Sequence, residues 1–300
     1  MSVFRQAVRF PRLAWESASA IRYARRQNIP GLRFDRYGRR LGARLLLRGA
    51  RGGASLLLNP VSIVRYFEFE FADEVIGDQA DSCVDVSSPR LLPFWLAQTR
   101  PKLQVRMINP DSADIGRSSD FIRHLGIERV DARCQGVDSL PNEPSADVVV
   151  SISVIEHIAG AYDDRQAIRW MWEAVAPGGR LVLTFPVDRK PWDEYREAPM
   201  YEADTVRNEH GVFFSRHYDL EAIHTRLLQA IGDPPHEMRF FGERTPGYFT
   251  AYAQRWMAEG LAATVRDPRE IADHFQPYAR WDDMPGRGVC GLVMKKGSSS

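Results

Sequence analysis

The chain has 300 residues, 44% of them apolar and 26% charged, and a formal net charge of +1. This is ordinary for a soluble globular protein with one large domain, or one domain with additions. Cys83, Cys134 and Cys290 lie far apart and each falls in a predicted strand. Buried free thiols are therefore expected rather than a disulfide framework or a zinc site.

No apolar run approaches the roughly 18 residues of a membrane span, and the N-terminus lacks a secretory core. A cytoplasmic protein is expected. The small net charge hides an asymmetry. Residues 1–64 hold 13 arginines, no lysine, and only Glu16 and Asp35 as acids, a net +11, so the rest carries −10. This basic arm, with helices predicted over 14–27 and 35–48, calls for an anionic partner or for docking on the acidic body. The alternatives are a helical cap against the sheet or a partner subunit, as in a homodimer, and a contact at the anionic inner face of a membrane. Nucleic acid is not expected, because no lysine–aromatic interleaving or known module accompanies the arginines.

Beyond the arm, VSIVRYFEFEF (61–71) reads as either a strand or a helix leading into a sheet, with Arg65, Tyr66 and Glu68 as polar points. Ser82–Val86 is the first core strand, followed by the turn Ser87-Ser88-Pro89 and a short helix over 90–98. Strands are predicted over 103–109 and 129–134, with a helix from Asp111 to His124 between them. The most legible stretch is 146–187: an apolar strand at 147–151, then Glu156-His157, an amphipathic helix at 164–175, Pro177-Gly178-Gly179 as its stop, and a strand at 180–185. This is a βαβ unit of a mainly parallel sheet, whose ligands bind beyond the carboxyl ends of the strands. The acid-rich segment 188–204 is expected to be a flap. Asp219 is expected to cap a helix reaching Ala230. A strand at 237–241, helices at 248–259 and 268–275, and a strand at 289–295 complete the chain. Three units follow: the arm 1–64, a domain 65–296 with a helical insertion at about 246–282, and a tail 297–300.

A nucleotide-binding βαβ fold normally carries glycines after its first strand. Asp85-Val-Ser-Ser-Pro-Arg90 has none, which excludes the pattern of a nicotinamide-dependent reductase. Serine hydroxyls and backbone N–H groups can still serve there, and Asn109 suits a ribose diol.

The element order and the phrase SISVIEHI…RWMWEAVAPGGRLVLTFPV resemble the class I S-adenosylmethionine-dependent methyltransferases, in particular a branch with a Glu-His phrase after strand four. The likeness spans roughly 61–295, with the family glycines falling on Ser87 and Pro89. It implies a Rossmann-like α/β fold with a mostly parallel seven-stranded sheet, order 3-2-1-4-5-7-6, the last strand antiparallel. It implies S-adenosyl-L-methionine as cofactor, held by Asp85, Ser87 and Ser88 at the methionine end, Asn109 at the ribose, Ile108 and Val137 about the adenine, Gln135 and Gly136 at its edge, and Ser151 and Ser153 along the methionine side. Softer likenesses to glycan- and lipid-modifying methyltransferases imply O-methylation of a small-molecule or glycan-like acceptor. The alternative is a degenerate, non-catalytic binding or assembly protein.

His157 is the candidate base, since imidazole titrates in the useful range, with Glu156 beside it and His217 as a second histidine. Both members of the Glu-His pair also suit a structural role. Arg216 offers a rigid fork to an acceptor carboxylate or phosphate, and Tyr162, Trp192, Tyr195 and Tyr218 are candidate acceptor contacts. Tyr162, Asp163 and Asp164 lack the spacing of a metal site, so none is expected.

Overall fold

The structure, a computed structural model, describes residues 3–199 and 206–298. The first helices are α1 (Val3–Arg26), α2 (Leu32–Leu47), α3 (Gly53–Leu58) and α4 (Arg65–Ile76). The alternating core then runs β1 (Ser82–Val86), α5 (Leu91–Thr99), β2 (Gln104–Ile108), α6 (Ser112–Leu125), β3 (Val130–Arg133), β4 (Ala146–Ile152), α7 (Asp164–Glu173) and β5 (Val175–Val187). Three short strands follow, β6 (Trp192–Arg196), β7 (Arg207–Asn208) and β8 (Gly211–His217). The chain continues through a helical stretch over 220–231, β9 (His236–Glu243), α8 (Tyr248–Glu259), α9 (Leu261–Thr264), α10 (Asp267–His274), β10 (Phe275–Tyr278) and β11 (Gly288–Lys295).

One eight-stranded sheet orders these as β10-β9-β11-β5-β4-β1-β2-β3. β3, β2, β1, β4 and β5 are mutually parallel, and β11 is antiparallel to both β5 and β9. The expected 3-2-1-4-5-7-6 order is present, with an eighth strand added. β10 lies antiparallel on β9. The helix expected over 268–275 therefore stops at His274, and Phe275 opens a strand.

Helices cover both faces, so the central strands are apolar on both sides. One core lies under α2, α4 and α5, with Phe34, Leu41, Phe69 and Phe94 packed against Val105 and Val148. The other lies under α7 and the 220–231 stretch, with Ile168, Met171 and Leu227 packed against Val149 and Leu183. The basic N-terminal segment contributes Phe34, Tyr37, Leu41 and Leu45 to the first core. At Gly42, α2 and α3 approach so closely that a Cβ would stand 2.5 Å from the Leu57 nitrogen.

Several expectations change. Of the two readings open for 61–71, the helix is the one formed, from Arg65 onward as α4, with its bulky residues filling the groove between α2 and the sheet. Pro177-Gly178-Gly179 does not end the preceding helix. α7 has already stopped at Glu173, and β5 runs through the triplet, where the β4–β5 register shifts between Ala146 and Val148. Gly178, at φ +80°, makes that irregularity. Cys83 and Cys290 are buried free thiols, but Cys134 is exposed, because β3 ends one residue before it. The flap segment 188–204 carries β6, which joins β8 and β7 in a separate three-stranded sheet. Residues 200–204 of the flap lie outside the described residues.

Candidate active site

The carboxyl ends of β1, β2, β3 and β4 bring most of the expected cofactor residues to one edge of the sheet. Asp85 lies inside β1, fully buried, and neither carboxylate oxygen has a hydrogen-bond partner among the described residues. Burial pushes its pKa from the usual 3.8 up to about 7, with the Ser88 hydroxyl and amide partly opposing. An orphaned carboxylate of this kind costs stability unless something satisfies it. A ligand ammonium group at the strand tip would do so, which is the fit expected for the methionine end of S-adenosylmethionine.

The glycine-free turn keeps the glycine conformation. Ser87 sits at φ +56°, a left-handed backbone that L-residues rarely adopt, with its amide and hydroxyl on the Ile108 carbonyl at 2.8 and 3.2 Å. The Ser88 hydroxyl accepts from the Ile152 amide at 3.0 Å, pinning the turn to β4. Ser151 is buried and donates to the Val86 carbonyl. Asn109 is half-buried and locally engaged: its carbonyl oxygen accepts from the Asp111 amide and its amide group donates to Asp114. Arg90 also pairs with Asp114, tying the turn after β1 to α6. Ile108 and Val137 are buried members of the second core. The Gln135 amide group reaches Glu143 at 3.4 Å, and Tyr162 lies against Gly136.

The tip of β4 carries a second cluster. Glu68 is fully buried on α4; one oxygen accepts from the Ser153 hydroxyl at 2.5 Å and the Thr184 hydroxyl at 2.8 Å, and the other pairs with Arg65. Arg65 also donates to Ser153, itself at φ +48°. Glu156 is buried beside this group, and burial pushes its pKa to about 8. Its Oε2 has no hydrogen-bond partner among the described residues. His157 Nδ1 lies 2.5 Å from the Phe214 carbonyl, so Nδ1 carries the proton and Nε2 the lone pair. Nε2 is 3.8 Å from Glu156 Oε1. Burial lowers the His157 pKa to about 4, aided by the charges of Arg65 and Arg196. At neutral pH the pair is a neutral imidazole beside a largely protonated acid.

The β6–β8 sheet closes this end. His217 is buried, stacks on Trp192 with centroids 4.0 Å apart and 8° between planes, and approaches Glu194 at 3.6 Å. The Trp192 indole N–H donates to Asp188. Tyr195 packs on Phe213 and His210. Arg216 and Tyr218 point elsewhere. Both meet the buried Asp164, at 2.8 Å each, and Arg226 joins them at 2.9 Å. Tyr218 is fully buried, which takes it away from any acceptor.

Arg65, Glu68, Thr184, Glu194 and Arg196 join this site without having been singled out as site residues. The available signal was local: three charges in the aromatic run RYFEFEF, of which Glu68 is spaced to face inward once the segment is helical.

Sheet order and strand directions define a Rossmann-like α/β fold of the kind methyltransferases use, with Asp85 at the first strand tip and the β4 cluster beside it. Residues 90–183 match a family described as "Methyltransferase domain", a match that begins immediately after the substituted turn. No curated protein sequence matches the chain. Similar solved structures include the YcgJ protein from Bacillus subtilis (14% identity, 78% of this chain and 99% of that one, TM-score 0.49). Others are the [4+2]-cyclase SpnF (20%, 74% and 77%, 0.47) and a putative sarcosine dimethylglycine methyltransferase from Galdieria sulphuraria (12%, 76% and 84%, 0.46). Over residues 90–183 the chain is similar to the methyltransferase domain family, and the fold around that segment is the Rossmann-like α/β fold.

Proposed function

We propose that the methyl group is delivered to a hydroxyl of a small-molecule or glycan-like acceptor, with His157 as proton acceptor. The observation that carries this reading is the fixed tautomer of His157. Its Nδ1–H is committed to the Phe214 carbonyl at 2.5 Å, so Nε2 carries the lone pair. S-adenosylmethionine supplies an electrophilic methyl group on a sulfonium. Asp85, Ser87 and Ser88 hold its methionine end, and Ile108 and Val137 bound its base.

Nε2 receives the hydrogen bond of the acceptor hydroxyl and takes its proton as the oxygen becomes methylated. The depressed pKa keeps the imidazole neutral across the physiological range. Glu156, held largely protonated, adds no negative charge that would trap the proton on His157. Trp192 and Tyr195 on the β6–β8 sheet flank the acceptor, and that sheet shields the edge from water.

The test is transfer of labelled methyl to a panel of hydroxylated glycans and small phenols. We expect His157→Ala to lower turnover by about 10²–10⁴-fold, with S-adenosylhomocysteine affinity within about twofold. Wild-type turnover in that variant removes His157 as the base.

A further inference from the structure

α4 separates two concave surfaces. Arg65 and Glu68 face the methyl-transfer edge, whereas Phe67, Glu70, Phe71 and Glu74 line an open cleft of about 750 Å³ on the other side, bounded by the α1–α2 connection and the β9–β10 edge. That volume suits a small molecule. Its floor is apolar: Phe67 and Phe241 stack with centroids 4.9 Å apart and 22° between planes.

Four arginines line it: Arg25, Arg33, Arg36 and Arg239. Two are neutralised locally. Arg33 lies 3.1 Å from Glu70 and 3.0 Å from Asp73, and Arg239 lies 2.7 Å from Glu74 and 2.8 Å from Glu237. Arg25 and Arg36 are exposed and pair with no carboxylate among the described residues. At the N-terminus of α2 the Gly31 amide donates to Glu70 at 3.0 Å, so the net positive potential of the cleft comes from Arg25 and Arg36.

Two guanidiniums that pair with no carboxylate among the described residues line the same cleft as the Phe67–Phe241 stack, which matches a dianion joined to an apolar body. We propose that this cleft binds an organic phosphate monoester, distinct from the methyl acceptor. A phosphate monoester carries about −1.5 to −2 charges at pH 7 and three acceptor oxygens, enough for two bidentate arginine forks. A monocarboxylate would leave one guanidinium unmatched.

The test is titration calorimetry of the full chain with phenyl phosphate, which does not depend on methyl transfer. We expect saturable binding, at least tenfold weaker in the double variant Arg25→Ala/Arg36→Ala and unchanged in Arg22→Ala, an exposed arginine outside the cleft. Affinity should fall below about pH 6, where the phosphate takes its second proton. Neither arginine makes a contact the fold needs, and unchanged circular dichroism confirms folded variants. Vesicles containing phosphatidic acid identify the source. Retention on them, competed by phenyl phosphate, places the monoester on a lipid, whereas phenyl phosphate binding without retention makes it a soluble ester. Phenyl phosphate binding no tighter than benzoate, or equal binding by the double variant, overturns the proposal.

Discussion

Asp85 and Asp164 are both fully buried carboxylates, and they behave in opposite ways. Burial raises the pKa of Asp85 to about 7, the nearby Ser88 hydroxyl and amide oppose it only in part, and neither oxygen makes a well-formed hydrogen bond among the described residues. Burial acts on Asp164 in the same direction, but Arg226, Arg216 and the Tyr218 hydroxyl outweigh it and hold its pKa below the usual value. A satisfied buried charge is a structural joint, here fastening the β8 end to α7. An unsatisfied one at a strand tip marks a place kept for a ligand.

The comparison breaks most sharply at Asp164. Asp164→Ala leaves Arg216 and Arg226 only their longer contacts with Asp193 and Asp163 and strands the buried Tyr218 hydroxyl, and should lower stability by about 3 kcal/mol in urea unfolding. A loss below about 1 kcal/mol, the level of a typical substitution, would deny that the cluster is a joint. Asp85→Asn should do the reverse. Stability at neutral pH should hold or rise, because an unpaired carboxylate is removed. Affinity for S-adenosylhomocysteine should fall by about 10–100-fold, the worth of one charged hydrogen bond. Calorimetry and denaturation on the same variant read both.

pH sharpens the contrast further. The raised pKa of Asp85 favours folding fully below its unfolded value near 3.8, and that contribution is lost as pH rises through about 7. Asp164, with a lowered pKa, stabilises above the unfolded value and loses that contribution as pH falls through its folded one. Because a bound ammonium requires ionised Asp85, S-adenosylhomocysteine affinity should climb by up to about tenfold per pH unit between pH 5.5 and 7, then level off. A flat profile would show that Asp85 does not meet the charge. The smallest effect is at the turn. Ser87→Gly relieves a φ of +56° and should add about 0.5–1 kcal/mol to stability, measured by the unfolding midpoint.

Much of the frame was legible beforehand. The first core strand, Ser82–Val86, and the helix Tyr248–Glu259 fall where the residue pattern puts them, and Asp219 caps as expected, its carboxylate accepting from the Ala222 amide at 2.8 Å. These are local properties: apolar runs, periodicity and capping chemistry act between neighbours in the chain. Pro177-Gly178-Gly179 misleads for the same reason. A local stop signal was read where long-range pairing of β5 with β4 and β11 imposes a strand.

Site chemistry was less legible. Asp85, His157 and Glu156 are visible in the sequence as residue types at strand ends, but not their states. Arg216 and Tyr218 look like acceptor contacts until Asp164, more than fifty positions earlier, is found between them. Asn109 looks available until its own turn engages it.

The sequence by itself determined the alternation of strands and helices, the strand tips where ligands meet the sheet, and the charge imbalance of the first 64 residues. Only the tertiary structure decided which buried charges are satisfied, which proton His157 carries, and that α4 places a charged cluster on one face and a cationic cleft on the other. Pattern is set by neighbours along the chain. The protonation and pairing of a buried group depend on every atom within a few ångströms, and most of those come from distant residues.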